Sequence, residues 1–88
     1  MIKKKLTIVN QLGLHARASM KLHDLANRFE SSITIETPKA CIDAKDILDI
    51  MSLAAAKGSS ILLTCEGKDE KHAASDISNL IERKFDEE

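Results

Sequence analysis

Within the five residues Gly13-Leu14-His15-Ala16-Arg17 the chain places a nucleophile, a permanent cation and a backbone bend side by side. His15 directly precedes a run with helical periodicity, so it occupies or adjoins an N-cap, where the first-turn amides have no partner inside the helix. A helix N-terminus carries about half a positive charge, which attracts phosphate and disfavours a second proton on a neighbouring imidazole. A neutral imidazole so placed can attack phosphorus. The backbone N–H groups of Ala16 and Arg17 are positioned to hold phosphoryl oxygens, and the planar Arg17 guanidinium can engage them bidentately. Gly13 reads as a flexible bend that presents His15 outward. No carboxylate, second histidine or metal ligand lies close to His15 in sequence, so neither hydrolysis nor a metal centre is expected, and no cofactor is called for. Such a site suits a carrier, because each 1.4 kcal/mol of extra grip slows onward transfer about tenfold.

A histidine at a helix start is by itself an ordinary cap, so the surrounding elements matter. From Lys3 to Val9 apolar and polar residues roughly alternate, the period of a half-buried strand. After a loop through Gly13, the spacing of Ala18, Leu22, Leu25, Ala26 and Phe29 predicts one helical face, ending near Arg28. Ile33–Thr37 and Ala40–Asp43 alternate again across a turn at Pro38-Lys39, as an antiparallel hairpin would. Asp43 or Asp46 can cap a short helix with Ile47, Ile50, Met51 and Ala54 on one face, ending at Lys57-Gly58. Ser60–Cys65 is a fourth strand. Asp69 can cap a last helix with a stripe of Ala73, Ala74, Ile77, Leu80, Ile81 and Phe85, followed by a solvated acidic tail, Asp86-Glu87-Glu88. The expected fold is α+β, a two-layer open-faced sandwich in which three helices cover one face of a four-stranded antiparallel sheet, in the order βαββαβα.

The length of 88 residues predicts a single domain over 1–88, too small to spare core volume for a deep substrate pocket. Hydrophobic residues at 43 % and charged residues at 31 % are ordinary for a folded soluble protein. Thirteen Lys+Arg balance fourteen Asp+Glu, and two Phe with no Trp or Tyr offer no stacking platform, so nucleic acid is not an expected partner. The basic Lys3-Lys4-Lys5 run lacks the apolar stretch of a signal peptide and reads as a charged sheet edge. No stretch is long enough for membrane insertion, and two cysteines without CxxC spacing, read as small semi-buried thiols, point to a reducing cytoplasmic setting. His23 and His72 read as solvated helix residues.

Gly13-Leu14-His15-Ala16-Arg17 resembles the active-site signature of HPr, the histidine phosphocarrier family of the bacterial phosphoenolpyruvate-dependent phosphotransferase system. Asn10-Gln11-Leu12, Ala44-Lys45-Asp46-Ile47-Leu48-Asp49-Ile50-Met51-Ser52-Leu53 and Ala56-Lys57-Gly58-Ser59 are similar to the family as well, and the resemblance spans essentially the whole chain. It implies the element order derived above, His15 as phosphoryl acceptor through the ring nitrogen nearer the backbone, and Arg17 as its phosphoryl contact. It further implies enzyme I as donor and an enzyme IIA protein as acceptor, for a carrier that is not itself an enzyme. Among the two cap candidates it favours Asp46.

The chain departs from the family pattern in three ways. Ala18 stands where most relatives have proline, with little expected loss. Asp46 stands where many relatives have a regulatory serine; it still caps but cannot be a serine kinase substrate. Asp24 and Asp49 add negative charge to a face that meets acidic partners, which favours a nitrogen-regulatory branch over bulk sugar uptake, with Lys21, Arg28 and Lys45 as possible compensation. The docking surface is expected to join His15, Arg17 and Met20 to Ile47, Leu48 and Met51; Leu48 and Met51 cannot both be fully buried on so short a helix, and Leu48 is expected to be exposed. A monomer serves successive docking best. A regulatory HPr-like binding protein without phosphoryl transfer is the alternative, disfavoured because it has no chemical use for the His15 and Arg17 pair.

Overall fold

Alternation of Ile61, Leu63 and Cys65 with Leu62 and Thr64 makes one face of the central strand apolar, and the same period in Ile33 and Ile35 lets the neighbouring strand match it. In the computed structural model, which describes residues 1–87, these become β4 (Ser60–Glu66) and β2 (Ser32–Glu36). They are flanked by β1 (Ile2–Thr7) and β3 (Cys41–Asp43) in the order β1-β4-β2-β3, all antiparallel. Leu6 pairs with Ile61 and Ile35 with both Ile42 and Leu63, so the inward residues line up across the sheet. A slip of one residue would turn each set to the wrong face.

The helices α1 (Ala16–Ala26), α2 (Ile47–Leu53) and α3 (Glu70–Glu82) cover that face. Ala18, Leu22 and Ala26 of α1 meet Ala73, Ala74, Ile77, Leu80 and Ile81 of α3 and Ile50 of α2 in one core with the strands. The four-stranded sheet, the three helices and their order are as the sequence predicts. Lys3, Lys4 and Lys5 are exposed on the edge strand β1, where an unpaired row of backbone groups is blunted by charge.

Four local expectations change. Helix α1 ends at Ala26 because Asn27 caps it through N–H bonds to the carbonyls of His23 and Leu25, and Phe29 packs from the loop instead. Helix α2 stops at Leu53, four residues before Lys57, with Ala54 left-handed at φ 48°. The Ala55 carbonyl is occupied by the Leu14 amide at 2.8 Å, a tertiary bond that continuation of the helix would forfeit. Asp69 stands at the N-cap position of α3 and its carbonyl accepts from Ala73 N–H at 2.9 Å, but its side chain does not cap the helix; its carboxylate instead accepts from the Ser31 hydroxyl and from the Glu30 and Ser31 amides, the latter two at 3.0 Å. These bonds, the Ser31 hydroxyl foremost, hold Asp69 down at a pKa of about 2. Phe85 reaches the core not from a longer α3 but from a turn over Lys84–Asp86 whose φ values are 62°, 55° and 60°.

The two thiols also differ. Cys41 is exposed, whereas Cys65 is fully buried under the sheet, where burial pushes its thiol up. No helix among the described residues is long and apolar enough to cross a membrane.

Candidate functional site

The loop before α1 is built by tertiary bonds rather than by flexibility. Asn10, completely buried, donates from Nδ2 to the Gly13 carbonyl at 2.7 Å, and the Gly13 amide returns a bond to the Asn10 carbonyl at 3.1 Å. Gly13 has φ 68°, and a Cβ there would lie 2.6 Å from the Ala55 carbonyl oxygen. Glycine is required by this conformation and this contact, and the expected flexible bend is a tightly held one.

His15 follows as the N-cap of α1, in extended conformation at ψ −178°. Its carbonyl accepts from Ser19 N–H at 2.8 Å, starting the helix, and its Nδ1 accepts from the Arg17 amide at 3.2 Å. The side chain is 27 % exposed, on one wall of a shallow cleft lined also by Leu12, Arg17, Lys57, Lys84 and Asp86. Arg17 is exposed, and its guanidinium makes no hydrogen bond among the described residues, so it is available to an incoming anion.

The tail completes the cleft. Asp86-Glu87-Glu88 reads from sequence as solvated, and for Glu87 this is overturned; Glu88 lies outside the described residues. Glu87 Oε2 bonds His15 Nε2, and Glu87 Oε1 accepts from Asn10 Nδ2 at 3.1 Å. The His15 ring, with Asn10, holds the Glu87 carboxyl below the usual carboxylate range. A carboxylate therefore does lie against His15, although none is near in sequence. Asn10 and Glu87 are the two site residues that sequence reasoning missed. A polar residue in a loop and an acidic one 72 positions away carry no local signal of this meeting.

Of the docking candidates, Leu48 is 75 % exposed, and Met20 and Met51 are each 46 % exposed. Ile47 is half-buried at the start of α2, while Ile50 faces the core. Met51 thus lies outside the inward face it was grouped with. Leu12, 70 % exposed in the cleft wall, adds an apolar group that periodicity could not assign, since it belongs to no element. Asp46 is the N-cap of α2, accepting from Leu48 N–H at 3.0 Å and Asp49 N–H at 3.2 Å. Lys21 and Lys45, named as possible compensation for Asp24 and Asp49, donate to main-chain carbonyls of Phe85 at 2.8 Å and Phe29 at 2.6 Å.

The family model of the PTS HPr component phosphorylation site matches residues 2–83. The chain is 40 % identical over 88 residues to phosphocarrier protein HPr of Xylella fastidiosa, covering 100 % of this chain and 99 % of that protein. It is 42 % identical over 87 residues to phosphocarrier protein HPr of Cupriavidus necator, covering 99 % and 98 %. The crystal structure of HPr-C-His from Thermoanaerobacter tengcongensis superimposes with a TM-score of 0.96 at 39 % identity, over 100 % of this chain and 99 % of that one. With a matching family model, full-length relatives and the same fold, the chain belongs to the HPr family, the phosphocarrier proteins of the bacterial phosphotransferase system.

Proposed function

We propose that His15 accepts a phosphoryl group on Nδ1 from phosphorylated enzyme I and passes it to an enzyme IIA protein. The observation that carries this reading is the placing of Nδ1 at the N-terminus of α1, 3.2 Å from the Arg17 amide, on a ring open to a cleft that also holds Arg17 and Lys57. The lone pair of Nδ1 attacks phosphorus, and the donor's bond to phosphorus breaks with its electron pair returning to the donor. The Ala16 and Arg17 amides then hold phosphoryl oxygens with the helix dipole behind them, and the Arg17 guanidinium follows the charge in and out. The long bond to Nδ1 is weak enough to yield to phosphorus.

Met20, Ile47, Leu48 and Met51, with Leu12 beside the cleft, form the surface that successive partners share, and a monomer leaves it open. Asp24 is exposed, and the bonds of Lys21 and Lys45 to carbonyls limit their role in offsetting it, which favours a nitrogen-regulatory acceptor. Serine-type regulation is absent, since residue 46 is a capping aspartate; phosphate incorporated at Asp46 or Ser52 by a serine kinase would refute this.

Intact mass at neutral to alkaline pH, after incubation with phosphoenolpyruvate and enzyme I, tests the carrier reading. One acid-labile phosphoryl group is expected on the parent chain and none on His15→Ala. Labelling of enzyme I alone would instead leave a regulatory binding protein. Transfer rates to a sugar-type and a nitrogen-type IIA protein decide the branch.

A further inference from the structure

A carboxylate against the nitrogen of His15 that does not meet phosphorus is more than a surface contact. Each ring nitrogen has its own partner: Nδ1 accepts from an amide, which cannot accept in return, so Nδ1 bears a lone pair. Nε2 faces Glu87 Oε2, which when ionised can only accept, so Nε2 bears the proton. The two bonds demand the same tautomer. This is the tautomer in which Nδ1 is the nucleophile.

The tail is built to deliver this carboxylate. Lys84, Phe85 and Asp86 all adopt left-handed φ, a conformation that disfavours L-residues by about 1–2 kcal/mol each. It persists because Phe85 is buried to 1 % exposure and because Lys21 holds the Phe85 carbonyl. From that anchor Glu87 lies within reach of both His15 and Asn10, and Asn10 in turn holds the Gly13 carbonyl. One network thus joins the nucleophile, its loop and the C-terminal turn.

We infer that Glu87 is a positioning residue for phosphoryl transfer: by accepting the Nε2 proton's hydrogen bond it orients the His15 ring, selects the tautomer whose lone pair is on Nδ1 and balances the charge the ring acquires. This rests on His15 being the phosphoryl acceptor. As the Nδ1 to phosphorus bond forms, the imidazole becomes cationic while its Nε2 proton stays in place, bonded to Glu87. The donor leaves with its electron pair, and the reverse events accompany hand-off. A carboxylate on the far nitrogen of a reacting imidazole serves both to orient it and to stabilise the imidazolium. Arg17, Lys57 and Lys84 in the same cleft outnumber Asp86 and Glu87, so the carboxylate does not make the entrance repulsive to phosphate.

The test compares the parent chain with Glu87→Ala and Glu87→Gln by nitrogen-15 NMR of the unphosphorylated protein and by single-turnover acceptance from phosphorylated enzyme I at saturating donor. The parent is expected to show protonated Nε2 with a slowly exchanging downfield proton, and unprotonated Nδ1. Glu87→Ala loses that proton signal and slows acceptance about tenfold, with affinity for enzyme I unchanged and the fold retained. Glu87→Gln, whose amide oxygen can still accept, restores the signal and part of the rate. A parent ring protonated on Nδ1, or an unchanged acceptance rate in Glu87→Ala, overturns the inference. Either result leaves the carrier reading itself to stand or fall on His15→Ala.

Discussion

Lys21 and Phe85, 64 residues apart, are joined by a 2.8 Å bond from the lysine ammonium to the main-chain carbonyl. The bond ties the middle of α1 to the left-handed turn that carries Glu87 to His15. A methionine at this position keeps the apolar stem and removes the donor. Lys21→Met is expected to cost about 1–2 kcal/mol, read by urea denaturation, and to slow phosphoryl acceptance in the same sense as Glu87→Ala. Full activity in a measurably destabilised Lys21→Met would separate the turn from the chemistry.

Gly13 combines a left-handed φ of 68° with backbone of Ala55 and Ala56 where a side chain would go, at 2.6 and 2.9 Å. Gly13→Ala must move two tertiary segments apart as well as bear the backbone strain. We expect a loss of about 2–4 kcal/mol in chemical denaturation and a displaced His15 that accepts phosphoryl groups slowly. Retention of parent stability would mean the loop is as pliable as its glycine suggests from sequence.

Leu48 is 75 % exposed, so it contributes little to the core. Leu48→Glu is expected to leave stability within about 0.5 kcal/mol of the parent while weakening transfer to or from partners by about tenfold, the equivalent of 1.4 kcal/mol. Stopped-flow transfer beside a thermal melt makes the comparison. A destabilised but normally reacting protein would return Leu48 to a packing role.

Asp69 is held down from its ordinary 3.8 to about 2 by the Ser31 hydroxyl first and then by the Glu30 amide. A depressed folded value stabilises the protein above the unfolded value and loses that contribution as pH falls through the folded one. Asp69→Asn is therefore expected to melt several degrees below the parent near neutral pH. The gap should close between about pH 4 and about pH 2, where the parent carboxylate protonates. A gap independent of pH across that window would show that the carboxylate's charge is not what holds Glu30 and Ser31 to α3.

The sequence by itself was enough for the strands and helices, for His15 at the start of α1 with Arg17 in the first turn after it, and for a cap of α2 at Asp43 or Asp46, between which the family resemblance chose Asp46. Each of these rests on residues within about four positions of one another, where periodicity and capping act. Where α2 ends, why Gly13 cannot be replaced, which groups the Asp69 carboxylate satisfies and how Phe85 enters the core were decided by contacts between distant segments, each of which outcompetes the local preference. The same holds for Glu87. Its local surroundings, Asp86 and Glu88, read as a solvated tail. Only burial of Phe85 and the bond from Lys21 turn the chain back, so that Glu87 meets a histidine 72 residues earlier.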